Sequence, residues 1–378
     1  MVFPDISSAP KARSGFTLPW NKDNLPKQLW INNKFVASKS SKTIEVYNPK
    51  DGTVVTNDVP VAGQDDVDAA VAAAEAAFPK WKKRLPRERR DLLNKLADLM
   101  VEHLPTLVTL TRVTLGMPRA DSVPWRSMSL LKRSDGFMKI TRQEPLGVVA
   151  AIIPFNAPIA VLCHKIGGAL ITGNCFIIKP SEKTPLATLA LGQLAKVQEA
   201  SAKSNFKRVT LELGGKSPAM IFDDANLDIA VAWCVNGITM NSGQACVAAS
   251  RFYVQEGTYP KFVEAYKAAL EARAKMVGDT GESSTQMGPI VDKLQFDRAR
   301  GFIERAKAQH KLLTGGIDVS DKGYFVPPTA FTDVPEDAEI VKTEIFGPVA
   351  VINTFKTEEE ALVKANDTEY GLFAGVFT

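Results

Sequence analysis

The spacing of apolar positions changes character along the chain, and each change predicts a different kind of element. Near the start, "KQLWINNKFVAS" and "KTIEVYNPKDGTVV" read as short strands, joined within themselves by an Asn-Asn turn and by "NPKDG". From Asp65, "DDVDAAVAAAEAAF" predicts an alanine-rich helix ended by Pro79. From about Glu88, Leu92, Leu93, Leu96, Leu99 and Met100 fall at i, i+1, i+4, i+7 and i+8, the stripe of a second helix. The basic run between them, "KWKKRLPRERR", is expected as the solvated start of that second helix.

Further on the pattern alternates. "LGVVAAIIPFN" is a continuous apolar run, a buried-type strand ending in a turn before Pro158. Helix "IAVLCHKIGGALI", strand "NCFIIKPS", helix "TPLATLALGQLAKVQEASAK" and strand "KRVTLELGG" follow, which predicts a parallel sheet covered by helices. Ligands in such sheets bind beyond the carboxyl ends of the strands, and Asn156, Lys179 and Glu212 fall at or beside those ends. From Ala219 onward, strands such as "SRFYVQE" and "VAVINTF" alternate with helices such as "YPKFVEAYKAALEARAK", which predicts a second α/β domain. Two domains also suit a chain of 378 residues.

Composition narrows the function classes. Forty-six basic and 42 acidic residues leave a net charge of +4, too small to point to nucleic acid or an anionic membrane. No apolar leader or membrane-length run is present, and the most apolar segment is interrupted by Pro154, Asn156, Pro158, His164 and Lys165. Four cysteines without CxxC spacing, with three histidines, argue against a zinc site or a disulfide framework and for a reduced, cytoplasmic setting.

One of those cysteines draws attention. Cys246 stands in "MNSGQACVAASR" among Gly243, Ala245 and Ala248, small neighbours that would let a carbonyl compound approach a thiol of high intrinsic nucleophilicity. An isolated cysteine is more often a packing residue, so its companions matter. Glu212 ends a predicted strand before the Gly214-Gly215 turn of "LELGGKSP". The "GKS" there is not a phosphate loop, since Thr210 stands where the first glycine belongs. Asn156 could donate to a developing oxyanion or serve as an Asx cap. Lys179 and Glu182 of "IIKPSEKTP" suit a phosphate and ribose hydroxyls, or a solvated loop.

Taken in order, "IIPFN", "GNCFIIKPSEKTPL", "VTLELGGKSP", "NSGQACVAASR" and "EIFGPV" resemble the NAD(P)-dependent aldehyde dehydrogenase superfamily, with the 34-residue step from Glu212 to Cys246 that the family shows. The resemblance implies an α/β fold with a Rossmann-type cofactor domain over 22–124 and 145–213, an oligomerisation strand region over 125–144, and a second α/β catalytic domain over 214–378. It implies that Cys246 attacks an aldehyde, that Asn156 and the Cys246 amide hold the oxyanion, and that Glu212 activates the hydrolytic water. Lys179 and Glu182 would bind the adenosine ribose, Glu344 and Phe346 the nicotinamide ribose and ring. A carboxylate at Glu182 favours NAD over NADP. Ala157, Val161 and His164 would line the substrate tunnel, and Ala157, where many members carry phenylalanine, suggests room for a bulky or aromatic aldehyde, in a biosynthetic pathway for instance. Partners would be the small aldehyde and further copies of the chain, with no metal.

The pattern also breaks. Only 33 residues separate Lys179 from Glu212, room for one crossover helix where the family places two further strands and the segments lining the cofactor pyrophosphate. A smaller deficit lies between Gly116 and Arg142, and the text stops within "YGLFAGVFT". Lost strands should expose apolar edges. Besides a working dehydrogenase, the sequence therefore leaves open a non-catalytic remnant without cofactor binding, or a thiol esterase needing no cofactor.

Overall fold

A computed structural model describes residues 18–21, 24–117, 145–195, 212–316 and 322–378. The expected oligomerisation strand region at 125–144 and the strand expected over 207–211 lie outside them. The described residues divide into two units, one built from 18–46, 54–114 and 145–195, the other from 47–53, 115–117 and the described residues after 212.

The first unit opens with the hairpin β1 (Leu29–Ile31) and β2 (Lys34–Val36). Its turn residues Asn32 and Asn33 both have positive φ, 48° and 60°, the mirror-image turn that asparagine tolerates and that matches strand twist. After β3 (Thr43–Tyr47) and β4 (Val54–Pro60) comes α1 (Gln64–Lys83), whose buried Asp66 closes a capping box on the Gly63 amide. Pro79 does not end this helix. It continues to Lys83 because Trp81, 1% exposed, is anchored in the interior, and tertiary burial outweighs the single lost backbone bond.

The basic run is divided accordingly. Lys80, Lys82 and Lys83 fall in the last turn of α1, where cations complement the helix dipole. Arg89, expected in solvent, is 8% exposed on α2 (Pro86–Glu102) and donates to the carbonyls of Ile171 and Arg84. Leu96 and Leu99 of the predicted stripe are buried in a core shared with α3 (Leu104–Leu115), α4 (Pro158–Ile171) and α5 (Pro185–Ala195).

Between these helices β5 (Val148–Ile152) and β6 (Cys175–Lys179) pair in parallel, Val148 opposite Cys175 and Ile152 opposite Lys179, with α4 as the crossover. The expectation of a buried β5 fails: no residue of it is fully buried, and Ile152 is 79% exposed. A strand loses its cover when few others flank it, and among the described residues this sheet has two strands.

The second unit is a six-stranded sheet in the order β12 (Gly375–Phe377), β7 (Ser217–Ile221), β8 (Ala249–Gln255), β11 (Val349–Phe355), β10 (Thr329–Thr332) and β9 (Lys311–Thr314), parallel except for β9. Alternate residues serve opposite faces. Ala219, Ile221, Phe252, Val254, Ala350 and Ile352 pack with α6 (Leu227–Thr239) and α7 (Tyr259–Ala274). On the other face, Phe331, Val349 and Val351 pack with α8 (Lys293–Gln309) and α9 (Glu339–Lys342), and Met220, Tyr253 and Phe355 with α10 (Glu358–Asn366).

Candidate active site

Sheet order gathers the candidate residues of the second unit. β7, β8 and β11 are consecutive neighbours in the sheet and run in one direction, so the loops entering them emerge side by side. Glu212 precedes β7, Cys246 precedes β8, and Glu344 and Phe346 precede β11. Glu212 is exposed, and residues 212–216, which lead into β7, form no strand; the segment before Glu212 lies outside the described residues.

The cysteine loop is over-determined by its backbone. After α6 the chain turns through Asn241 (φ 48°), Ser242 (φ 57°) and Gly243 (φ 74°), three successive left-handed residues of which two carry a side chain. Buried polar contacts hold them there. Asn241 Nδ2 donates to the Gln244 carbonyl at 3.1 Å, and Gln244 Nε2 returns a bond to the Asn241 carbonyl at 3.0 Å. Gln244 Oε1 accepts from the Val291 amide at 2.9 Å, and Ser242 Oγ donates to the Gly288 carbonyl at 2.6 Å. Gly243 is obligatory twice over, by its φ and because a Cβ there would stand 2.3 Å from the Gly347 carbonyl carbon.

Cys246 is half-buried. Burial first, and then the carboxylates of Glu344 and Glu212, push its thiol above the ordinary value, while its own amide and that of Val247 donate to it and pull the other way. Cys246 is therefore within electrostatic reach of both carboxylates named from the sequence. By contrast, burial drives Cys163 up to about 11 and Cys175 up to about 12, leaving packing thiols.

Glu344 is held over the glycines. Gly215 donates its amide to Glu344 Oε1 at 2.9 Å, and a Cβ on Gly214 would stand 2.5 Å from Oε2. On Gly215 a Cβ would stand 2.0 Å from the Cys246 carbonyl oxygen, so this strap and the cysteine loop touch backbone to backbone. Phe346 adopts φ 59°, and Gln295 Nε2 donates to its carbonyl and to that of Ile345, each at 2.9 Å.

Several residues here had no role in the sequence reading. Arg251, 1% exposed, donates to the carbonyls of Lys216, Lys364 and Ala365 and to Tyr253, tying the Gly214–Lys216 strap to β8 and the end of α10. Arg298 donates to the Glu344 carbonyl. The signal that could have exposed Gln244, Lys216 and Arg251 is polar residues set among small and apolar ones, which gain partners only in three dimensions.

The first unit holds the other residues named from sequence. Lys179 closes β6, with its Nζ 3.5 Å from Glu182 Oε2; both side chains are exposed. The backbone amide of Glu182 first, and then Lys179 and Ser181, hold its carboxyl below the usual range, so it is ionised at neutral pH. Asn156 is half-buried in the bend before α4 and does not cap it; the cap position is Ala157. Val161 packs on the unit's core, and His164 is exposed.

In the first unit the exposed Lys179–Glu182 pair offers a cation suited to phosphate and a carboxylate that accepts from hydroxyls; in the second unit Glu344 lies on Gly214 and Gly215, whose missing side chains allow close approach. Among the described residues no cluster of metal-binding side chains occurs.

Comparison with known proteins gives a consistent picture. The model of the aldehyde dehydrogenase family matches residues 35–200 and 194–378. An aldehyde dehydrogenase of Emericella nidulans is 39% identical over 424 residues, covering 95% of this chain and 84% of the relative. The Saccharomyces cerevisiae protein named aldehyde dehydrogenase [NAD(P)+] 2 is 37% identical over 422 residues, covering 93% and 83%. The NAD+ complex of an aldehyde dehydrogenase from Bacillus cereus superposes with a TM-score of 0.83 at 34% identity, covering 93% of this chain and 84% of that one. An aligned span of 424 positions exceeds the 378 residues available, so the relatives hold internal segments that this chain lacks. The family model matches in two segments that overlap at 194–200, between Lys179 and Glu212.

Proposed function

Since the chain belongs to the aldehyde dehydrogenase family, whose chemistry is aldehyde oxidation with NAD(P), we propose that it works through a covalent intermediate on Cys246. The observation that carries the reading is the convergence of Glu212 and Glu344 on this half-buried thiol. In the first step the Cys246 sulfur bonds to the aldehyde carbon, and Asn156 and the Cys246 amide donate to the oxygen that takes up the electron pair. NAD(P) held by Lys179, Glu182, Glu344 and Phe346 would supply the acceptor for the hydride of that carbon. Glu212 then takes a proton from water, whose oxygen attacks the thioester; the acid departs and the thiolate is restored.

Lys179 and Glu182 would hold the adenosine ribose, and Glu344 and Phe346 the nicotinamide ribose and ring. The ionised carboxylate of Glu182 supports NAD over NADP, because it would repel a 2′-phosphate. Ala157, with Val161 and His164, supports a bulky or aromatic aldehyde, and oxidation of such a compound suits a biosynthetic route. Exposed Ile229 and Trp233 on α6, with exposed Met240 just after its end, support a homo-oligomer. Four free cysteines support a cytoplasmic setting, and no helix among the described residues is long and apolar enough to cross a membrane.

Aldehyde-dependent NADH production by the purified chain, beside a Cys246→Ala control, tests the reading; equal rates in the two would refute it. A second reading is favoured by the 79% exposure of Ile152 on a sheet that has two strands among the described residues: a chain that keeps the thiol but has lost cofactor binding. NAD titration separates them, since that reading requires no saturable binding.

A further inference from the structure

Lys216 has no part in the chemistry above, yet it is 2% exposed beside the cysteine loop. The charges that face it come from three elements: Glu344, before β11, attracts its ammonium, while Arg251 on β8 and Arg298 on α8 repel it. Its chain neighbour Gly215 donates to Glu344 Oε1 at 2.9 Å, and Gly214 leaves only 2.5 Å between a would-be Cβ and Oε2. The Glu344 carboxylate thus lies folded onto the Gly214–Lys216 strap. We propose that Lys216 is a positioning residue whose buried ammonium keeps the Glu344 carboxylate on the Gly215 amide, in competition with the nicotinamide ribose. This rests on the reading of Glu344 as the ribose-binding carboxylate.

Two effects then act in one direction. A protonated Lys216 holds Glu344 inward, and it adds a like charge facing the positively charged nicotinamide of the oxidised cofactor. Loss of that proton relieves both. Burial first, and then Arg251, bring the Lys216 ammonium down to about 7, so the competition is released across the neutral range. By linkage, binding of NAD then expels a proton from Lys216.

The test is NAD binding, followed by tryptophan quenching and by calorimetry in two buffers of different ionisation enthalpy, from pH 6 to 8.5. Wild-type affinity is expected to tighten about tenfold over that range, with proton release on binding at pH 7. Lys216→Met, close in volume and always neutral, is expected to bind at the tight limit throughout with no linked proton; Lys216→Arg, always charged, at the weak limit. Saturable binding with the same pH dependence in wild type and Lys216→Met, or without proton release in wild type, would overturn the inference alone. Absence of saturable binding in all three proteins at every pH would overturn the cofactor reading and this inference with it.

Discussion

Gly215→Ala is the substitution that asks most directly whether the thiol is held by backbone contact. The Gly215 φ is not left-handed, so alanine suffers no conformational strain of its own. The added Cβ, however, would lie 2.0 Å from the Cys246 carbonyl oxygen and 3.2 Å from its carbon. Carbon–oxygen contacts settle at about 3.3 Å or more, so a gap of about 1 Å has to open. The obstacle is main chain, so no rotamer change relieves it, and the loop behind it is clamped by the buried bonds of Asn241, Ser242 and Gln244. The displacement therefore moves the sulfur. A misplacement of about 1 Å costs on the order of 10²-fold in rate, and overpacking of this kind costs about 1–3 kcal/mol of stability. The assay is the pre-steady-state NADH burst, with urea unfolding to report the stability change separately. A variant with the wild-type burst rate and an unchanged unfolding midpoint would show that the strap does not set the thiol.

Four further substitutions probe other links. Glu344→Gln should make Cys246 more reactive to iodoacetamide at pH 7, by about twofold, and Glu212→Gln less so, because Glu344 is the larger of the two carboxylate influences on the thiol; slower alkylation in Glu344→Gln would contradict the electrostatic ordering. Gly168→Ala, in α4 with nothing within 4 Å of the added methyl, should raise stability by about 0.4–1 kcal/mol in urea titrations, and a loss would show that the helix needs glycine there. Asp66 accepts from Ser38 Oγ, the Lys39 amide and the Gly63 amide, which bring its carboxyl down to about 2. Its contribution is present above the unfolded-state value near 3.9 and lost as pH falls through about 2. The stability gap between wild type and Asp66→Asn should therefore be wide at pH 7 and nearly closed at pH 2; a gap independent of pH would refute the assignment.

Local signals were legible where chemistry is local. The Asn-Asn turn, the leucine stripe of α2, the βαβ unit around α4 and the cysteine motif all follow from residue type and spacing. Pro79 misled because the burial of Trp81 acts from outside the helix. Strand β7 was not among the strands named from the sequence: Pro218 cannot donate to a ladder, and the pairing with β8 shifts register between Ser217 and Pro218. Glu212, Cys246 and Glu344 could be named by resemblance, but why they meet depends on the adjacency of β7, β8 and β11, which no window of sequence contains. Lys216 and Arg251 were hidden by the same fact, since a buried cation is recognised by what surrounds it.

The left-handed run from Asn241 to Gly243 also dates the appearance of the nucleophile in the life of the chain. Two of those residues adopt a backbone conformation that costs side-chain-bearing residues about 1–3 kcal/mol each, and what offsets it comes partly from Gly288 and Val291, later in the sequence. During synthesis from the N-terminus, the segment around Cys246 emerges well before those partners exist. Until they do, the cysteine is an ordinary thiol on a flexible peptide, without the fixed approach path that a carbonyl compound needs. The geometry around Cys246 is thus completed only once residue 291 has been made and packed.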